Sequence, residues 1–85
     1  MDKIEYLRKN IDEIDRNIVR LLVLRFKLIM QIGKYKKEKG IGVVEKKREY
    51  EILKNVKFFS DLPYKSFIVG IFKKIINYSR KLQSK

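Results

Sequence analysis

Apolar residues recur every three or four positions along the first two fifths of this chain, from Ile4 to Tyr35. This alternation of three- and four-residue steps is typical of a helix that buries one continuous face. The positions of the stripe are Ile4, Leu7, Ile11, Ile14, Ile18, Leu21, Arg25, Leu28, Ile32 and Tyr35. The pattern therefore predicts one long helix with a single buried stripe, in which only position 25 is charged.

Arg25 stands where the stripe requires an apolar residue. A buried guanidinium needs an anionic partner, because an unpaired buried charge is very costly. The adjacent turns of the helix offer none, since positions 21, 22, 28 and 29 are all leucine or isoleucine. We therefore expect Arg25 to pair either with a distant carboxylate of the protein or with a bound anion.

The long helix is predicted from about residue 3 to about residue 39. Asp2 and Glu5 resemble a capping box at its start, while Gly40 and Gly42 are expected to end it. At 1.5 Å per residue the helix would be roughly 55 Å long, which is too wide for a compact monomer of this length. We therefore expect the stripe to pack against a second copy of the chain in a helical homodimer.

Two shorter helices are predicted after the long one. They cover about residues 45–56 and 64–83. Residues 57–62 between them are expected to form a loop, with Ser60 and Asp61 as capping residues and Pro63 in the first turn of the next helix. No stretch is long enough to argue for a sheet. The predicted fold class is therefore all-α, with one very long, one short and one medium helix in a single domain over residues 1–85.

The composition excludes several kinds of chemistry. There is no cysteine for thiolate chemistry and no histidine, which is the usual general base at neutral pH. Because Asp and Glu are also sparse, we expect no metal site. The N-terminus lacks the apolar core of a signal peptide, and no apolar run is long enough to cross a bilayer. These features predict a cytoplasmic protein that does not associate with a membrane.

The formal net charge of +12 is large for 85 residues. Cations dominate from Lys34 to Lys57, and no acidic residue follows Asp61. A basic surface of this kind suits nucleic acid or a small anionic ligand, although it also serves solubility. A basic helical module that binds nucleic acid is therefore one alternative function.

The stripe of the long helix holds a second cation near its end. Lys36 lies eleven residues after Arg25, within roughly 20° of the same helix face, and Gly33 lies between them. Gly33 leaves a gap in the side-chain surface, which either admits a small ligand or permits close packing of a neighbouring helix. Both interpretations stay open at this point.

Polar residues also replace core residues on the other two helices. Glu45, Arg48 and Glu49 share one face of the second helix, a spacing that also suits a ladder of surface salt bridges. Ser79 and Gln83 prolong the apolar stripe of the third helix, where a frayed C-terminus is the plainer explanation. Together these positions predict a pocket rich in cations and hydrogen-bond donors, without a nucleophile–base pair or a cofactor motif.

Arg8 cannot reach that pocket within one chain. It precedes Arg25 by seventeen residues, or roughly 25 Å along a helix axis. If Arg8 contributes to the site, it must come from the partner chain; otherwise it is an exposed arginine beside the dimer seam.

Four stretches of the chain occur in a specific order. They are LRKNIDEIDRNIVRLLVLR, IGKYK, VVEKKRE and IFKKIINYSRKLQ. In this order and spacing, the chain resembles the all-helical (type II) chorismate mutases over essentially its whole length. The resemblance implies conversion of chorismate to prephenate by a Claisen rearrangement, in phenylalanine and tyrosine biosynthesis. It also implies an intertwined homodimer and no cofactor, because the reaction needs only positioning and electrostatic stabilisation.

The resemblance also implies residue roles. Lys36 and Gln83 would donate hydrogen bonds to the ether oxygen, and Glu49, with Glu45, would accept one from the ring hydroxyl. Arg48 would contribute through its backbone or by aligning Glu49. The implied substrate-binding residues are Arg8, Arg25, Glu45, Arg48 and Ser79. Two of them, Arg25 and Arg8 of the partner subunit, would hold the two carboxylates with their planar guanidinium groups.

The resemblance has one departure and leaves alternatives. Position 45 is glutamate where family members commonly carry aspartate, which puts direct contact between Glu45 and the substrate in doubt. Isochorismate-pyruvate lyases share the fold, although the pair Arg48–Glu49 favours a mutase.

A further alternative function is that of a helical interaction domain. It would use the long seam alone and leave Arg25 without a partner. The chain has no room for a fused enzyme domain, so we expect a monofunctional enzyme.

Overall fold

The computed structural model describes residues 2–85, which form three α-helices and one short 3-10 helix. The elements are α1 (Lys3–Lys39), α2 (Lys46–Phe59), the 3-10 helix (Leu62–Tyr64) and α3 (Lys65–Gln83). No strand occurs in this part of the chain, and the predicted all-α class is confirmed. None of the helices within residues 2–85 is both long enough and apolar enough to cross a bilayer.

The ends of α1 agree with the predicted capping signals. The Asp2 side chain accepts a hydrogen bond from the Glu5 amide at 2.8 Å, which satisfies one of the free donors of the first turn. At the other end Gly40 adopts the left-handed conformation, with φ 69°, and the Ile41 amide donates to the Lys36 carbonyl at 2.8 Å. This is the Schellman arrangement, which glycine adopts without strain.

The predicted end of the second helix was wrong. Residues 57–59 were expected in a loop, but α2 continues to Phe59. Nothing in that stretch breaks a helix, and the rings of Phe58 and Phe59 pack edge to face with centroids 5.3 Å apart. The helix ends at Ser60, where the backbone becomes extended (φ −92°, ψ 133°), and the Ser60 hydroxyl donates to the Val56 carbonyl of the last turn. The predicted first residue was also one too early, since Glu45 is the residue that precedes α2.

The molecule is elongated because α1 defines its longest dimension. The principal extents are 56 × 25 × 15 Å, and the first agrees with the length expected for a helix of 37 residues. Helix α3 packs against both α1 and α2. The buried apolar side chains among the described residues are Val56 of α2 and Ile75 and Ile76 of α3, so the core is small and involves both helices.

The first half of α1 has no neighbour within the chain. Every residue from 2 to 21 is exposed. The apolar stripe is included, with Ile4 at 59% and Ile14 at 56% exposure. Contiguous apolar surface of this kind marks an interaction site.

Gly33 sets the distance between α1 and α3. It is buried, and a Cβ atom at this position would lie 2.8 Å from the Gln83 Cα atom. The two helix backbones can approach this closely only because position 33 has no side chain. Of the two interpretations that the sequence left open, close helix packing is therefore the one confirmed.

Candidate active site

A cavity of about 250 Å³ lies where the second half of α1, the start of α2 and the end of α3 meet. Its wall includes most of the site residues predicted from the sequence: Arg25, Lys36, Glu45, Arg48, Glu49, Ser79 and Gln83. Ile32, Ile52 and Ile76 supply apolar parts of the wall. A pocket with apolar walls and a few convergent polar groups is the usual form of a small-molecule site.

Arg25 is held by a neutral side chain. Its Nη1 atom donates to Ser79 Oγ at 2.9 Å, and this hydroxyl donates in turn to the Ile75 carbonyl at 2.7 Å. No carboxylate of residues 2–85 forms an ion pair with Arg25. Burial, and then repulsion from Arg48, lower the pKa of Arg25. The guanidinium thus carries a charge that this part of the chain does not neutralise, which favours the bound-anion interpretation.

Lys36 is buried and fully engaged. Its ammonium group lies 2.6 Å from Glu45 Oε1, and it donates to Gln83 Oε1 at 2.8 Å and to the Val43 carbonyl at 3.1 Å. An ammonium group has three N–H bonds, so all three are used. Lys36 is 8% exposed, whereas the Glu45 side chain is 48% exposed. Glu45 is the only charged acceptor of the three and is about half exposed to solvent. If a ligand takes its place at Lys36, water can therefore solvate the displaced carboxylate.

The carboxylates at the start of α2 do not form a surface ladder. Glu45 pairs with Lys36 on α1, and Glu49 pairs with Arg80 on α3. Only Arg48 pairs within α2, with Glu51 at 3.7 Å, and its side chain is 59% exposed. A surface salt bridge within α2, as a ladder would require, is therefore found only for Arg48, whereas the two glutamates pair with residues of α1 and α3.

Arg80 is a site residue that the sequence reasoning missed. Its Nε atom donates to Glu49 Oε2 at 2.6 Å, and its Nη2 atom donates to Glu49 Oε1. The hydrogen bond from Arg80 lowers the pKa of Glu49 although burial opposes this, and it raises the pKa of Arg80. One signal was present in the sequence, because Arg80 directly follows Ser79. It therefore lies beside the helix face on which Ser79 and Gln83 are expected to line the pocket.

Arg8 is not brought to the cavity. It is exposed in the first half of α1 and is absent from the cavity wall. The helix is continuous between Arg8 and Arg25, so the separation of roughly 25 Å stands.

The charges of the cavity wall favour an anion. Two carboxylates, Glu45 and Glu49, face a larger set of cations, namely Arg25, Lys36, Arg48 and Arg80. The wall therefore carries a net excess of two positive charges, which suits a doubly negative small molecule. Within residues 2–85, no group of three Asp or Glu side chains lies close enough to hold a metal ion.

Comparison with known proteins gives one consistent result. The family model of chorismate mutase type II matches residues 7–84. The structure is similar to that of a chorismate mutase (form II) from Thermus thermophilus, with a TM-score of 0.94 and 33% identity, over 99% of this chain and 97% of that one.

Two curated relatives are longer proteins. The bifunctional chorismate mutase/prephenate dehydratase of Aquifex aeolicus is 32% identical over 90 residues, which cover 100% of this chain and 25% of the relative. The T-protein of Haemophilus influenzae is 34% identical over 53 residues, which cover 62% of this chain and 14% of the relative. The chain thus spans a quarter or less of the length of these curated relatives.

Proposed function

The chain belongs to the type II chorismate mutase family, and from this premise we propose that it converts chorismate to prephenate in the cavity described above. The observation that carries the proposal is the buried Lys36 ammonium group, which lies beside Gln83 in a wall with excess positive charge. The reaction breaks one C–O bond and forms one C–C bond in a single intramolecular step. No proton transfer is required, which agrees with a chain that contains no histidine and no cysteine.

Binding of the substrate is assigned to the cations. Chorismate carries two carboxylates, and the Arg25 guanidinium, which has no acidic partner in residues 2–85, is suited to bind one of them. Ser79 would donate to the same carboxylate by turning its single O–H away from the Ile75 carbonyl. Arginine is favoured for this role because its planar group binds a carboxylate through two hydrogen bonds. Holding the substrate in its reactive conformer removes part of the entropic barrier.

Lys36 and Gln83 are assigned to the ether oxygen. This atom gains negative charge as its bond to the ring carbon breaks, and a fixed cation beside it stabilises the transition state more than the ground state. The Gln83 carbonyl already accepts from Lys36 at 2.8 Å, so its Nε2 group is left to donate to a ligand. We propose that the ether oxygen replaces the half-exposed Glu45 carboxylate at Lys36.

The active form is proposed to be a homodimer. The exposed apolar stripe in the first half of α1 supplies a long seam, with side chains such as Leu7 at 46% and Ile11 at 54% exposure. Pairing of two copies along this seam would bury the stripe and would bring Arg8 of the partner subunit to the cavity as the second carboxylate ligand. The substrate would then be enclosed between two chains, where electrostatic interactions are stronger than in water.

A direct assay tests the proposed function. Purified protein is incubated with chorismate, its ultraviolet absorbance is followed, and the product is identified as prephenate by its acid-catalysed conversion to phenylpyruvate. We expect turnover well above the uncatalysed rate. Isochorismate is tested in parallel, and release of pyruvate from it without turnover of chorismate would favour the lyase instead. A folded dimer that acts on neither compound would contradict both assignments.

A further inference from the structure

Arg80 of α3 and Glu49 of α2 form a bidentate ion pair in the wall of the cavity. The Nε atom of Arg80 donates to Glu49 Oε2 at 2.6 Å, and Nη2 donates to Oε1. The Glu49 side chain is 17% exposed and that of Arg80 is 34% exposed. Both residues line the cavity, so the pair is a structural feature of the site itself.

Two parallel hydrogen bonds fix more than the position of a charge. A glutamate carboxylate whose two oxygens are bound by one guanidinium cannot rotate about its Cγ–Cδ bond without breaking a hydrogen bond. Each carboxylate oxygen has a second lone pair that the guanidinium does not use. The pair therefore leaves Glu49 oriented and still able to accept a hydrogen bond from a ligand in the cavity.

Other charges around Glu49 do not provide this orientation. Burial raises the pKa of Glu49, whereas Lys46 and Lys36 lower it through space, and only Arg80 adds a hydrogen bond. Lys36 is itself engaged by Glu45, Gln83 and the Val43 carbonyl. The directional contact to Glu49 thus comes from Arg80.

We propose that Arg80 is a positioning residue, whose guanidinium holds the Glu49 carboxylate in the orientation that accepts a hydrogen bond from the hydroxyl group of the substrate. This inference rests on the proposed function and assigns a role to a residue that the family resemblance did not include. Arg80 acts through Glu49, so its effect depends on the presence of that carboxylate.

The test compares Arg80→Lys and Arg80→Gln with the matched control Lys74→Ala. Lysine at position 80 keeps the positive charge but cannot form the bidentate contact. Lys74 is an exposed cation of the same helix and is absent from the cavity wall. We expect kcat to fall by about tenfold to a hundredfold in both Arg80 variants, because a misoriented group in an active site has costs of this size. KM should change little, and Lys74→Ala should behave like the wild type. Circular dichroism checks that each variant keeps its helices.

A double-mutant cycle with Glu49→Gln separates positioning from direct contact. If Arg80 acts through Glu49, replacing Arg80 in the Glu49→Gln background should cause little further loss of kcat. If Arg80 instead binds a substrate carboxylate itself, the two losses should multiply and KM should rise in the Arg80 variants. Multiplicative losses would overturn the inference.

A titration that needs no turnover supports the kinetic test. The carboxyl carbon of Glu49 is followed by NMR against pH, and its pKa should rise on replacing Arg80 by glutamine. The acid limb of the kcat/KM profile should move to higher pH by the same amount. The other charged groups that face Glu49 or line the same walls stay constant across these variants: Lys36, Glu45, Lys46, Arg48, Arg25 and Lys73.

The outcomes separate the inference from the proposed function. A wild-type dimer that does not turn over chorismate contradicts the proposed function, and the role of Arg80 in that reaction falls with it. An active wild type whose Arg80 variants match Lys74→Ala, or whose Glu49 titration does not move, contradicts only the inference about Arg80.

Discussion

The Lys36 ammonium group donates to the Gln83 side-chain carbonyl at 2.8 Å, across the interface between α1 and α3. The two residues are 47 positions apart in the sequence, and their contact depends on the close approach of the helices at Gly33. This contact places a buried cation and a free amide donor side by side in the cavity wall. The proposed chemistry therefore depends on how closely the two helices pack.

Replacing Lys36 should remove most of the activity. Lys36→Met keeps most of the aliphatic side chain and removes the ammonium group. Transition-state stabilisation is therefore lost without leaving a large cavity between α1 and α3. We expect kcat to fall by about 100- to 1,000-fold, the usual cost of losing one electrostatic donor. Steady-state kinetics on chorismate measure the loss. The neighbouring Lys37 is exposed on the same helix, and Lys37→Met should stay near the wild-type rate. A Lys36→Met enzyme with normal kcat would refute the role of Lys36.

Adding a single methyl group at Gly33 should destabilise the protein. The Cβ atom of Gly33→Ala would lie 2.8 Å from the Gln83 Cα atom, so the backbone of α3 must move. Overpacking costs about 1–3 kcal/mol, and alanine returns roughly 1 kcal/mol as the better helix former, so we expect a net loss of up to about 2 kcal/mol. Activity should fall as well, because Gln83 is displaced from Lys36.

Gly42 is the matched control for that substitution. A Cβ atom at Gly42 meets nothing within 4 Å, and its backbone is not left-handed. Gly42→Ala should therefore leave the free energy of unfolding unchanged or slightly higher. Urea unfolding of both variants at one fixed protein concentration measures the difference. Equal stability of the two variants would mean that the helices do not need the gap at position 33.

The elements were predictable from local signals, whereas their contacts were not. The bounds of α1 follow from a stripe of spacing three and four, a capping aspartate and a left-handed glycine, all of which are local in sequence. The end of α2 was placed too early because the stop signal lies at Ser60 alone, and Lys57 to Phe59 have no feature that breaks a helix.

Arg80 shows what one-dimensional patterns leave out. Its partner Glu49 lies 31 residues earlier on another helix, and no periodicity connects the two. The residues that the sequence did identify, such as Arg25 and Ser79, were conspicuous because a polar group interrupted an apolar stripe. Arg80 interrupts no stripe, and its position next to Ser79 does not identify a partner, so its contact with Glu49 appears only once α2 and α3 are packed together.

Glu45 should matter less than Lys36 for the rate. Its carboxylate pairs with the buried Lys36 ammonium group at 2.6 Å but is itself about half exposed, so water screens its charge. In Glu45→Gln the amide oxygen can still accept from Lys36. We expect kcat/KM to change by less than tenfold. The control Glu51→Gln removes the acid of the exposed, 3.7 Å pair with Arg48 and should have no effect on kinetics. A loss in Glu45→Gln as large as that of Lys36→Met would make Glu45 part of the reaction chemistry.

The ion pair of Glu49 should make stability depend on pH in one direction. Arg80 holds the pKa of Glu49 below the ordinary glutamate value. A carboxylate whose pKa is lower in the folded state stabilises the fold above its unfolded pKa, and this contribution disappears as pH falls through the folded value. The advantage of the wild type over Glu49→Gln in free energy of unfolding should therefore be constant near neutral pH. It should shrink only below the ordinary range of glutamate.

Urea unfolding at a series of pH values tests this dependence, at one protein concentration because a dimer gains stability with concentration. The control is Glu38→Gln, an exposed glutamate of α1 that belongs to none of the ion pairs found in residues 2–85. Its difference from the wild type should be small at every pH. A difference between wild type and Glu49→Gln that grows toward acidic pH would contradict the assigned direction of the pKa shift.

Subunit mixing should show whether Arg8 acts across the dimer. In a heterodimer of one Arg8→Ala chain and one Lys36→Ala chain, one cavity would carry both substitutions and the other would carry neither. If Arg8 comes from the partner chain, mixing the two inactive proteins through unfolding and refolding should restore about a quarter of the wild-type activity, because half of the dimers are mixed and each has one intact site. If Arg8 acts within its own chain, or lies outside the site, mixing restores nothing beyond the average of the two parents. The refolded single variants are the controls, and light scattering confirms that dimers have formed.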